Sequence, residues 1–120
     1  MAVTNLTITA LAASQFQDTT NANAAIVVKN SGGTFFLISI DNTANAAISY
    51  VKLFYTAGAV VVGTTVPDWV IPAPASLISP IVCAPGIVFA AGLQVATVTA
   101  GGTAGAVSPA SAVVVRIVYT

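Results

Sequence analysis

The chain has 120 residues, three acidic and three basic side chains, zero formal net charge and no histidine. That length makes one domain, and neutrality argues against long-range attraction to nucleic acid or to an anionic membrane. A folded monomer of this size exposes roughly 6,000 Å², with only Asp18, Asp41, Asp68, Lys29, Lys52 and Arg116 to charge it. With 57% hydrophobic residues and a mean hydropathy of +0.96, part of that surface is expected to be covered by other subunits. No charge lies between Asp68 and Arg116, yet Pro72, Pro74, Pro80, Pro85, Gly92, Gly101 and Gly102 interrupt the segment. No clean run of about 20 apolar residues survives for a membrane helix. The N-terminal stretch lacks a basic region and reads as a poor secretory signal. The single cysteine, Cys83, forms no internal disulfide and reads as a small buried apolar residue in a reducing compartment.

Residues 3–11 alternate, with Leu6, Ile8 and Ala10 on one side, which predicts a half-buried strand. Residues 14–23 are polar without period and read as a loop, with Phe16 a candidate anchor. Residues 1–25 as a whole are a candidate N-terminal arm or edge strand. Residues 24–29 form a short strand, and Asn30-Ser31-Gly32-Gly33 predicts a hairpin turn into the next. Residues 34–55 then hold two apolar runs joined by Asp41-Asn42-Thr43-Ala44-Asn45, a turn built on side chains that bond their own backbone. They read as a central antiparallel pair. Alternation assigns Phe36, Ile38, Ile40, Val51, Leu53 and Tyr55 to the core. It places Phe35, Leu37, Tyr50, Lys52 and Phe54 on the opposite face. Burying Lys52 unpaired is costly, so its face is expected in solvent or at an interface.

Residues 57–66 read as a link. Residues 69–72, with prolines at both flanks, fit an edge strand. Residues 74–85 are punctuated by proline, with only short extended pieces at 77–78 and 81–82. Residues 86–91 fit a strand or a helical turn equally. Residues 93–100 alternate as a strand, 101–109 form a loop, and 112–119 form a strong last strand. In that strand Val113, Val115, Ile117 and Tyr119 share one side. About eight short strands spaced by turns predict an all-β fold: one antiparallel β-sandwich domain, jelly-roll or Ig-like.

Chemistry is largely excluded. Without histidine there is no Ser-His-Asp constellation and no usual zinc set. Without glutamate, a paired-carboxylate site needs two dispersed aspartates brought together, and turn roles explain them more simply. Cys83 has no base beside it, and Gly101-Gly102-Thr103-Ala104-Gly105 lacks the Lys-Ser/Thr ending of a phosphate loop. The expectation is no enzyme, no catalytic residue, no metal and no cofactor. Trp69, the sole tryptophan, reads either as an interface anchor or as the largest core residue.

The order Asp41-Asn42-Thr43, Ala46-Ala47, Tyr50-Val51-Lys52-Leu53-Phe54, Val62-Gly63-Thr64-Thr65-Val66-Pro67 and Val70-Ile71-Pro72 resembles a group of small tailed-phage virion proteins. Gly86-Ile87-Val88-Phe89, Gly92-Leu93-Gln94-Val95-Ala96-Thr97 and the ending at Tyr119 continue the likeness. It covers about two thirds of the chain, from about Thr34 to Thr120. The resemblance implies a capsid decoration (cement) protein or a head-fibre or tail-associated subunit. The fold implied is a β-sandwich, often trimeric, made in the host cytoplasm and seated on the virion surface. The implied partners are copies of itself, as a homotrimer, and the major capsid protein, with no nucleic acid and no membrane. Candidate subunit-interface residues are Phe35, Leu37, Tyr50, Phe54 and Trp69. A head-fibre or tail subunit reading a host-surface glycan is the alternative.

Overall fold

A computed structural model describes residues 13–18 and 24–120, so the strand expected over residues 3–11 lies outside the described residues. Eight strands and no helix occur among them: β1 (Ser14–Asp18), β2 (Ile26–Lys29), β3 (Gly33–Asp41), β4 (Ser49–Phe54), β5 (Trp69–Ala73), β6 (Ile78–Phe89), β7 (Leu93–Val98) and β8 (Val114–Tyr119). They form two four-stranded antiparallel sheets, ordered β1-β8-β3-β6 and β2-β7-β4-β5. The protein is an antiparallel β-sandwich, and its pairing settles the type. β1 pairs β8, β2 pairs β7, β3 pairs β6 and β4 pairs β5. That is one long hairpin of strands rolled up, the jelly-roll topology rather than an Ig-like one.

This arrangement corrects several local expectations. β3 and β4 do not pair: they lie in different sheets and face each other across the core. Nor do β2 and β3 form a hairpin, because residues 30–32 carry the chain from one sheet to the other. The polar segment Ser-Gln-Phe-Gln-Asp, expected as a loop, is the edge strand β1, with Phe16 packed against the core. The proline-rich stretch is one twelve-residue strand, β6, which accommodates its prolines at the sheet edge.

The core faces also shift by one position in β3. A bulge falls between Phe35 and Leu37 in its pairing with both neighbours. One extra residue reverses the two-residue alternation. Phe35 is therefore fully buried, and Phe36 turns outward over Gly86. Gly86 has φ +126°, and a Cβ there would stand 2.9 Å from the Phe36 ring. Beyond the bulge Ile38 and Ile40 point inward as expected, as do Val51 and Leu53 from β4 and Val113, Val115 and Ile117 around β8. Aromatic rings fill one end: Phe35 lies 6.2 Å from Trp69, 6.3 Å from Phe89 and 6.1 Å from Tyr55.

The opposite end is closed by a buried polar hub. Asn42, fully buried, donates from Nδ2 to the carbonyls of Ala73 (3.0 Å), Ala47 (3.1 Å) and Pro74 (3.2 Å). Its Oδ1 accepts from Asn45 Nδ2 (2.9 Å) and Ser49 Oγ (3.1 Å). Asn45 in turn exchanges hydrogen bonds with the backbone of Ser111 and accepts one from the Ser76 amide. One asparagine pair thus ties the β3–β4, β5–β6 and β7–β8 connections together. Truncating Asn42 strands several buried partners, each costing about 1–3 kcal/mol. Asn42→Ala is expected to lose about 3 kcal/mol or more of unfolding free energy in urea titration, and a loss below 1 kcal/mol would contradict the hub's role.

Candidate assembly surface

The two sheets treat their outer faces differently. On the two central strands of the β2-β7-β4-β5 sheet the outward residues are Tyr50, Lys52 and Phe54 of β4, opposite Val98, Ala96 and Gln94 of β7. All but the half-buried Tyr50 are buried, because two loops of the same chain lie over them. Lys52 is fully buried, against the expectation of a solvated or interfacial position. Its Nζ donates to the carbonyls of Gly105 (2.6 Å), Gly102 (2.8 Å) and Thr103 (3.2 Å). Three N–H donors meet three carbonyls, which is how a buried ammonium without a carboxylate partner becomes tolerable. Burial still pushes its pKa below the ordinary lysine value of 10.5. Gln94 holds the other loop, donating from Nε2 to the carbonyls of Gly58 (2.7 Å) and Thr56 (2.9 Å). Gly101 lets the backbone pass over the Tyr50 ring, where a Cβ would come within 2.9 Å. These loops make a third layer.

Among the described residues no such layer lies over the exposed β6 flank of the β1-β8-β3-β6 sheet. Its outward residues run in rows across the strands. Gln15, Val118, Leu37 and Val82 form one row, and Gln17, Arg116, Ser39 and Pro80 the next. Val114, Asp41 and Ile78 form a third, while Thr34 lies opposite Val88. Val82 is 76% exposed, Val88 71% and Ile78 58%. The charges on this face are few: Arg116 donates from Nε to Gln17 Oε1 (3.0 Å). Asp41 accepts from the hydroxyl and the amide of Thr43. Those hydrogen bonds, with a smaller contribution from Arg116, hold its carboxyl below the usual aspartate value.

The five candidate interface residues scatter. Phe35 and Phe54 are inside their own chain, Phe35 because of the bulge and Phe54 because of the loop layer. Tyr50 is half-buried under Gly101, and Trp69 is half-buried and stacked on Phe35. Leu37 alone lies on the uncovered sheet face, partly exposed. No described arrangement brings the aspartates together. Asp41 ends β3 beside the Asn42 hub, while Asp68 accepts from the Tyr55 amide (2.7 Å) at the aromatic end. Among the described residues no three His, Cys, Asp or Glu side chains cluster as metal ligands. Cys83 is buried, which raises its thiol pKa. A depression of about 280 Å³ near the hub is walled by Ala46, Ala47, Ile48 and Ala110; of the polar residues beside it, Asn45 and Ser49 bond within the hub and the Thr99 amide bonds the Val107 carbonyl.

Comparison with protein-family models, with curated proteins and with solved structures finds no match. The surface geometry therefore carries the functional argument. The features that sequence reasoning missed are the two loop anchors, Lys52 and Gln94. Their signal was present: a lone lysine in an apolar strand, with glycine-rich loops able to bring carbonyls close.

Lys52→Met is expected to free residues 99–108 without unfolding the sandwich. Hydrogen exchange checks this at the Thr99 and Gly105 amides, which bond the carbonyls of Val107 and Gly102. Unchanged protection there would show that Lys52 does not anchor the loop. The pH dependence has a definite sign. A lysine whose folded pKa is lowered binds its proton more weakly than in the unfolded chain. Its stability penalty is thus complete below the lowered pKa and shrinks as pH rises from there towards 10.5. Tyr55 and Cys83, both raised chiefly by burial, work the other way above their ordinary values of 10.0 and 9.0. Wild type minus Lys52→Met cancels those two, and this difference should move in favour of the wild type as pH climbs in that window.

Proposed function

We propose that this chain is a phage capsid decoration (cement) protein, a non-enzymatic subunit that binds the outer surface of the head shell and stabilises it. The observation that carries the reading is the amount of apolar surface left open. Among the described residues nine large hydrophobic side chains are 41–76% exposed, on a chain with six charges, one of which is buried at Lys52. Val61, Val66 and Val107 crown the loop layer on one side, and Ile78, Val82 and Val88 edge the bare sheet on the other. A subunit with apolar patches on two broad sides suits a protein held between partners: copies of itself and the major capsid protein. The jelly-roll itself recurs in viral capsid proteins, which supports the reading by analogy of fold alone. The dispersed aspartates and the inert surroundings of Cys83 support a role without catalysis. The alternative, a fibre or tail subunit reading a host glycan, would use Trp69, but much of that ring is occupied in stacking on Phe35.

A contact covering several hundred Å² of apolar area contributes about 25 cal/mol per Å², several kcal/mol before association costs. Purified protein added to heads that lack it should co-sediment at a fixed, saturable copy number and raise the temperature at which heads rupture. Because few charges take part, affinity should change less than about threefold between about 50 and about 500 mM salt. Absence of saturable binding at micromolar concentration sinks the proposal.

A further inference from the structure

We infer that the outer face of the β1-β8-β3-β6 sheet is a self-association surface, on which a second copy of this chain packs face to face about a two-fold axis. The inference stands independently of shell binding and leaves the loop-layer side for the shell. It differs from the homotrimer that the phage resemblance implies.

The sandwich is asymmetric. One sheet has the outer face of its central strands, β4 and β7, covered by the chain's own loops, down to a lysine buried to the last atom, with only the edge residues Val27 and Pro72 left exposed there. The other presents Leu37, Val82, Val88, Val118 and Ile78 outward, and none of the described residues covers its β6 flank in the same way. With strands about 4.8 Å apart and residues about 3.4 Å apart along them, that face measures about 500 Å² per copy. Two copies together bury about 1,000 Å², the lower bound for a specific interface.

The occupant follows from charge. Among its described side chains the face carries one cation, Arg116, and one anion, Asp41. Arg116 lies opposite Ser39, and Asp41 is two residues further along the same strand, so the two charges sit on a diagonal. In a two-fold contact each residue meets the partner's counterpart reciprocally. An axis lying between the sheets and perpendicular to that diagonal at its midpoint sets Arg116 of each copy over Asp41 of the other. A partner of net charge would leave one of the two ions facing its like; a second copy satisfies both at once.

The test is the mass of the full chain in solution by sedimentation velocity, with circular dichroism to confirm that each variant folds. Wild type should be dimeric at tens of micromolar. Val82→Lys, at the most exposed apolar position on the face, should weaken the dimer at least about tenfold without unfolding the monomer. Arg116→Asp should do the same by setting carboxylates against each other. The double exchange Arg116→Asp with Asp41→Arg should restore the dimer to within a few-fold of wild type. A monomeric wild type overturns the inference, including the case in which Val82→Lys abolishes only head binding and the face belongs to the shell. A dimer indifferent to Val82→Lys, a double exchange that restores nothing, or a closed trimer also overturns it.

Discussion

Three carbonyls on one ammonium decide how this sandwich is finished. β4 and β7 are buried on both faces, and a two-layer sandwich covers only one of them. Lys52 brings the 99–108 loop down by offering Gly102, Thr103 and Gly105 a donor each. The cost is desolvation of a charge with no carboxylate nearby, which lowers its pKa. What is gained is definition: the three oxygens converge on one nitrogen, so the loop has one seat rather than many. Gln94 performs the same service for the preceding loop with neutral chemistry. An apolar side chain at position 52 would cover as much area, yet would leave three carbonyls under the loop without a donor.

The other end of the sandwich solves a related problem. A jelly-roll crosses repeatedly between its sheets, and each crossing strips backbone groups of ladder partners. Asn42 and Asn45 supply those partners from side chains, so the β3–β4, β5–β6 and β7–β8 connections converge on two residues. Among the described residues no buried side-chain polar atom lacks a hydrogen bond. The aromatic end has no such network and is held by ring contacts instead.

Much of this architecture is legible in the residues. Short β-branched runs and proline or glycine punctuation mark six of the eight strands, and β8 shows its inner and outer faces by alternation alone. What escapes is non-local. The turn residues 30–33 look the same whether a hairpin closes or the chain changes sheet, since both need glycine and polar caps. The same ambiguity made β3 and β4 look like one hairpin, when the long-range pairs β3–β6 and β4–β7 govern them. β1 is a strand only because β8 offers it an edge; its sequence carries little β preference beyond Phe16. A single bulge exchanged Phe35 and Phe36, since a period of two has no memory across an inserted residue. Of the candidate surface, Leu37 was found by alternation after the bulge, while Val82 and Val88 were hidden in a stretch whose prolines argued against a strand.

The proline content of β6 bears on why the uncovered side is a face rather than an edge. A long apolar strand at a sheet margin is an open template for further strands. Pro80 and Pro85 remove backbone donors from β6, and the irregular pairing near Leu37 breaks its straight run. Strand addition along that margin is therefore impeded, while the side chains standing off the sheet remain unobstructed. Association is steered from backbone pairing, which grows without limit, towards side-chain packing on a finite face bearing one Arg116 and one Asp41. Such a contact closes after two copies, and a closed pair is what a protein this apolar needs if it is to assemble without aggregating.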